Sequence, residues 1–232
     1  IPSGGVDLGT GGLTSATTYN VYAYMSAVSV MTLEATTSAH ATDTAAGNIG
    51  VEIKTADASR TLVGLVRLNA AVNFVNSVTQ RFLLNWFNRR RLPGFNGFTT
   101  NYEIASTTLV EINTEIRIEF LSWANETSFG GFNGFARTGV TAPSALVGDN
   151  CQTIMAIDGT GLDSSGQIFQ FFVAEYQHAA GGVDFGSAVL AEGYHYITLF
   201  GADLNAARYI RWGGSPAGPT NTRNTLHLAI NG

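Results

Sequence analysis

Glu111-Ile-Asn-Thr-Glu-Ile-Arg-Ile-Glu-Phe-Leu-Ser-Trp-Ala124 is the stretch whose reading decides the fold class. Ile112, Thr114, Ile116, Ile118 and Phe120 fall on one side of a period-two pattern, and Glu111, Glu115, Arg117 and Glu119 fall on the other. Successive side chains of a strand point to opposite faces, so the pattern predicts one long strand, half buried and half solvated. A helix would scatter the isoleucines around its axis.

Weaker copies of the pattern lie on both sides. Upstream, residues 81–87 place Phe82, Leu84 and Trp86 inward, and residues 19–25 set Tyr19, Val21, Ala23 and Met25 against Asn20, Tyr22 and Tyr24. Downstream, residues 152–157 and 168–176 flank a turn-rich segment at 158–166, and residues 194–200 and 225–230 read as two more strands. Helix signals are weak: residues 69–77 and 204–209 have room for a turn or two. The expected fold class is all-β. A small N-terminal β domain over residues 1–78, with a Gly/Thr/Ser-rich start, is followed over residues 79–232 by a jelly-roll-like antiparallel β-sandwich.

Composition agrees. Charged residues are 12% of the 232, about half the usual share of roughly 25%, while aromatics reach 11%. Twenty-seven glycines among aromatic and β-branched runs suit strands joined by tight turns. The net charge is −5, and the one basic cluster is Arg89-Arg90-Arg91, too small a patch for phosphate neutralisation, so no nucleic-acid partner is expected. The cluster reads instead as a charged strand end. Cys151 stands alone in an apolar run and is expected to pack as a small hydrophobe. No run approaches the roughly 18 apolar residues of a membrane span. Ile1 in place of Met is what a fragment, a processed product or a chain begun partway would show.

Signatures of chemistry are sparse. His40, His178, His195 and His227 show no metal-ligand spacing, and one cysteine adds nothing to them. His195, between Tyr194 and Tyr196, is expected to face solvent or a satisfied pocket. Asp158 and Asp163, with Thr160 and Ser164, make an oxygen-rich loop that is a weak calcium candidate, but Phe169 occupies the position where an EF-hand needs Glu. No nucleophile elbow and no phosphate-binding glycine loop occurs, so no cofactor is expected. Glycoside hydrolysis needs two carboxylates across a cleft. Glu111, Glu115 and Glu119 read instead as a solvated sheet face, and no catalytic residue is assigned.

Gly-Phe-Asn-Gly-Phe occurs twice, at 94–98 and at 131–135. Asn-Gly favours two-residue hairpin turns, so both copies are expected to be turns. Aromatic faces suit the apolar side of a sugar, and amides suit its hydroxyls. Phe95, Asn96, Phe98, Phe132, Asn133, Phe135, Tyr209 and Trp212 are therefore the glycan-binding candidates, with burial in a core or subunit interface as the competing reading.

Several segments resemble tail-fibre and minor tail proteins of tailed bacteriophages. They are Tyr19-Asn-Val-Tyr-Ala-Tyr24, Leu33-Glu-Ala-Thr-Thr-Ser-Ala-His-Ala-Thr-Asp43, Val51-Glu-Ile-Lys-Thr-Ala-Asp-Ala-Ser-Arg-Thr-Leu-Val-Gly64, Arg81-Phe-Leu-Leu-Asn-Trp-Phe-Asn-Arg-Arg90 and Ala191-Glu-Gly-Tyr-His-Tyr-Ile-Thr-Leu-Phe-Gly201. The resemblance covers most of the chain and implies an extracellular virion part that is often trimeric and often touches the host surface. The expected protein is therefore a fibre or spike module, a homotrimer with other virion proteins as neighbours, attaching to a host surface glycan or protein without cleaving it. The alternatives are a capsid decoration or head-fibre protein with no receptor role, and a bacterial carbohydrate-binding module. Exposing so aromatic and uncharged a surface on a monomer is costly, which also favours an oligomer.

Overall fold

A computed structural model describes residues 5–28, 30–124, 126–133, 136–138, 141–143, 148–162, 167–170, 188–205, 208–213 and 224–231. Within them the chain is all-β, with one 3-10 turn.

The first sheet holds β1 (Thr18–Ala27), β2 (Val30–Thr36), β3 (His40–Thr42), β4 (Glu52–Lys54) and β5 (Asp57–Arg67), in the order β2-β1-β5-β4-β3. After β6 (Gln80–Arg81), β7 (Leu83–Asn85) returns to pair with β5, placing Leu84 opposite Leu65.

The remaining strands are β8 (Arg91–Gly97), β9 (Asn101–Ile104), β10 (Val110–Glu111), β11 (Ile118–Ser122), β12 (Thr127–Asn133), β13 (Ala136–Thr138), β14 (Asn150–Ile157), β15 (Thr160–Gly161), β16 (Gln167–Gln170), β17 (Ala188–Val189), β18 (Gly193–Asp203), β19 (Ile210–Gly213) and β20 (Thr225–Asn231). Eight of them form two facing antiparallel sheets, β17-β12-β20-β8 and β16-β14-β18-β11. Counted along the chain, these strands run sixth-third-eighth-first in one sheet and fifth-fourth-seventh-second in the other. That is the double Greek key of a jelly roll. Leu226, Leu228 and Ile230 of β20 and Ile118, Phe120, Ile197 and Leu199 of the opposite sheet fill the space between them. β9, β19 and β13 make a small side sheet.

The boundary expected near residue 79 does not divide the core. β7 belongs to the first sheet, and Tyr22, Leu62 and Leu65 of that sheet share one buried cluster with Ile118 and Phe120. The first sheet lies over β11, which is why Leu121 and Trp123 are buried as fully as Ile118 and Phe120 on the other face. Arg67 stacks 3.8 Å over the Tyr194 ring across this contact.

Residues 111–124 are not one continuous strand. Asn113 caps a 3-10 turn over Thr114–Ile116, its Oδ1 accepting the Glu115 amide at 2.8 Å. The turn leaves Thr114 exposed, against its expected inward place, while Ile112, Ile116, Ile118 and Phe120 are all buried. The apolar period is kept because the turn redirects the chain between two points anchored in the same core.

Candidate functional site

β8 is the edge strand of its sheet, and its alternation sorts the candidate residues. Gly94 faces the core: a Cβ there would stand 2.9 Å from Ile118 Cγ2. Phe95 therefore faces out, 46% exposed, and its ring centroid lies 5.1 Å from that of exposed His227, directly opposite on β20. Gly131 of β12 completes the row and adds no side chain. The result is an open aromatic shelf. Exposed Val78 borders it, its carbonyl accepting the Phe95 amide at 2.9 Å.

The same strand forms one wall of a polar cleft of about 570 Å³, lined by Thr79, Gln80, Asn96, Thr99, Glu115 and Glu119, among others. Asn96 donates to the Glu115 and Arg117 carbonyls at 2.7 and 2.9 Å, tying β8 to the 3-10 turn. The Glu115 carboxylate accepts from the Thr99 amide and hydroxyl and, at 2.5 Å, from the Tyr102 hydroxyl. Partial burial pushes the Glu115 carboxyl up, but the Thr99 and Tyr102 bonds outweigh it and hold it below the usual carboxylate range. Glu119 accepts from Gln80 at 2.7 Å and from the Tyr194 hydroxyl at 2.6 Å. Arg117 forks onto Glu111 at 2.7 and 2.6 Å and stacks 4.2 Å over Tyr196. The acidic and basic groups along this face are thus held by neighbours rather than simply solvated.

Several candidates prove to be core. Phe98 and Phe132 are buried, Phe98 against Tyr102 at 5.1 Å and Phe132 opposite Leu226. Trp212 is fully buried over Gly201, where any Cβ would collide with the indole, and its N–H donates to Thr153 Oγ1 at 2.8 Å. None of these three can present a ring face to a solvent-borne sugar. Asn96 serves mainly as a bridge between the sheets. Tyr209 is half-buried. Asn133 is placed by its backbone pairing with Thr225, and Phe135 and Asp163 lie outside the described residues. Asn96-Gly97 is strand rather than turn, which corrects the hairpin expected there. His227, missed by motif reasoning, was legible only as an outward position in the last strand.

Asp158 occupies the β14–β15 turn with φ 50° and accepts from His195 Nδ1 at 2.6 Å and the Tyr196 amide at 2.9 Å. His195 is thereby in the satisfied pocket expected of it, with Nε2 2.9 Å from the Ala191 carbonyl. Among the described residues no three metal-ligating side chains converge. Arg89 stacks 4.0 Å over Trp86 and pairs with Glu126 at 2.7 Å, and Cys151 is buried. Among the described residues no helix is long and apolar enough to cross a membrane.

No family model and no curated protein matches the chain. Among solved structures it is similar to a chain in the structure of infectious bursal disease virus, Gx strain, with a TM-score of 0.34 and 10% identity. The match covers 97% of this chain and 58% of that one. At this distance the likeness carries no argument, and the fold assignment rests on the strand order.

Proposed function

We propose that this chain is a virion structural module that attaches the particle to a host surface by binding glycan without cleaving it. One observation carries the reading: a single edge strand presents the open Phe95–His227 shelf on its outer face and, through Asn96 on its other face, lines a polar cleft. A sugar offers an apolar ring face and a rim of hydroxyls, and this edge offers an aromatic surface and a wall of amide, hydroxyl and carboxylate groups. The resemblance of five segments to phage tail fibres supports an extracellular, virion setting.

A single shallow site of this kind binds weakly, and a homotrimer multiplies it by avidity. Two apolar features suit subunit contact. The β1–β2 tip carries Met25, Val30 and the 95% exposed Val28, and the outer face of the first sheet holds an apolar groove of about 230 Å³ lined by Leu33, Val63, Phe74 and Leu83, among others. Glu115 is poorly suited to act as the general acid of a hydrolysis. A general acid needs a raised pKa, and Glu115 is shifted the other way.

The test is an array of bacterial surface polysaccharides probed with the purified chain, beside an assay for new reducing ends. Wild type is expected to bind and release no fragments, and Phe95→Ala is expected to lose binding at least about tenfold, or 1.4 kcal/mol, with its unfolding midpoint nearly unchanged. Fragment release abolished by Glu115→Gln or Glu119→Gln overturns the non-enzymatic part. A folded oligomer that binds nothing on the array supports a capsid decoration or head-fibre protein instead.

A further inference from the structure

His40 sits where the first sheet meets the jelly roll, and both of its ring nitrogens face carboxylates. Nδ1 lies 2.5 Å from Glu52 Oε2, on β4 of the same sheet. Nε2 lies 2.9 Å from Glu192 Oε2, 152 residues away at the entrance to β18. A neutral imidazole carries one N–H, so it can serve one of these carboxylates and must turn a lone pair toward the other. Only the imidazolium donates to both.

The surroundings favour that form. Trp86 packs against the imidazole with ring centroids 5.7 Å apart. The cations nearby make their direct ion pairs elsewhere: Arg89, whose charge also favours ionised Glu52 from a distance, with Glu126, and Lys54, opposite His40 in the β3–β4 pair, with Glu34 at 2.6 Å. The Tyr22 phenol, which feels both Glu52 and Glu192, donates to the Ser38 carbonyl at 3.0 Å. No cation therefore substitutes for His40 between the two carboxylates among the described residues.

We propose that His40 is a proton-governed latch between the N-terminal sheet and the jelly roll, closed as the imidazolium that ties Glu52 to Glu192 and opened when the proton leaves. The direction in pH follows from the partners. Burial lowers the pKa of His40, but the bonds to Glu192 and Glu52 outweigh it, and the net value lies above the ordinary 6.5. A raised pKa contributes stability that is fully present below 6.5 and lost as pH rises through the folded value. Glu52 stays ionised across that window: burial pushes it up, but the Thr42 hydroxyl and His40 hold it below the usual range. Between His40 and Glu52, the alkaline limb therefore belongs to His40.

The test uses the full chain, with His40 followed by proton NMR and assigned by its contact to the Trp86 ring. In wild type the His40 resonance is expected to titrate above 6.5, and the urea midpoint is expected to fall as pH rises through that titration. His40→Gln, which keeps one donor and one acceptor, is expected to flatten that alkaline limb. Glu192→Gln is expected to move the His40 titration downward. A wild-type midpoint unaffected by pH over that window, or a His40 titration untouched by Glu192→Gln, overturns the latch. Should His40→Gln fail to fold, the Glu192→Gln titration decides alone.

Discussion

The two copies of Gly-Phe-Asn-Gly-Phe flank the same strand and do opposite things. In the first copy Phe95 stands opposite His227 and faces solvent, while Phe98 is buried. In the second, Gly131 stands opposite His227, and Phe132 stands opposite Leu226 in the core. The pentapeptide is thus displaced by one residue relative to β20 on its two sides. In a strand a slip of one residue exchanges the two faces, so identical sequence becomes a surface shelf on β8 and a core plug on β12.

The largest effect expected from that difference is in the aromatics. Phe132→Ala should cost about 3–5 kcal/mol as a core truncation, whereas Phe95→Ala should stay within about 0.5 kcal/mol as a surface change. Urea unfolding of the two variants measures both, and equal losses would break the comparison.

Gly94 and Asn96 give the next tier. A Cβ at Gly94 meets Ile118 Cγ2 at 2.9 Å and Leu228 Cβ at 3.1 Å, so Gly94→Ala should cost about 1–3 kcal/mol by overpacking. Asn96→Ala strands the Glu115 and Arg117 carbonyls, and should cost about 1–3 kcal/mol and loosen the cleft wall. Hydrogen exchange along residues 113–118 should rise in that variant.

The smallest effect is in acid. Glu115 anchors Thr99, just beyond the first copy, and its pKa is depressed in the fold. A depressed carboxylate contributes stability that is present above its unfolded value, 4.5, and lost as pH falls through the folded one. Tyr102→Phe removes one donor, so acid unfolding followed by circular dichroism should begin at a higher pH than in wild type.

Much of the fold was legible in alternation. Ile116, Ile118, Phe120, Phe82 and Leu84 were assigned to the core from spacing alone, and they are there. The 3-10 turn at Thr114–Ile116 was not legible, because its two ends return to the same apolar face and leave the period undisturbed. The candidate site was read less well. Phe98, Phe132 and Trp212 carry the right chemistry for sugar, but side-chain type does not distinguish a ring that covers a core from one that faces water. His227 and the cleft around Gln80 and Glu115 arise only when β6, β8, β20 and the turn are brought together.

By itself, then, the sequence determined that this chain forms strands, and which residues within most of them share a face, because side-chain parity is a property of a few consecutive residues. Tertiary structure alone decided which strands lie side by side, in what register, and which face of each meets the core. It placed Phe95 outside and Phe132 inside, and it set His40 against Glu192 across 152 residues. Those choices are made by backbone pairing and packing between distant segments, where a shift of one residue reverses every side chain and no local pattern records it.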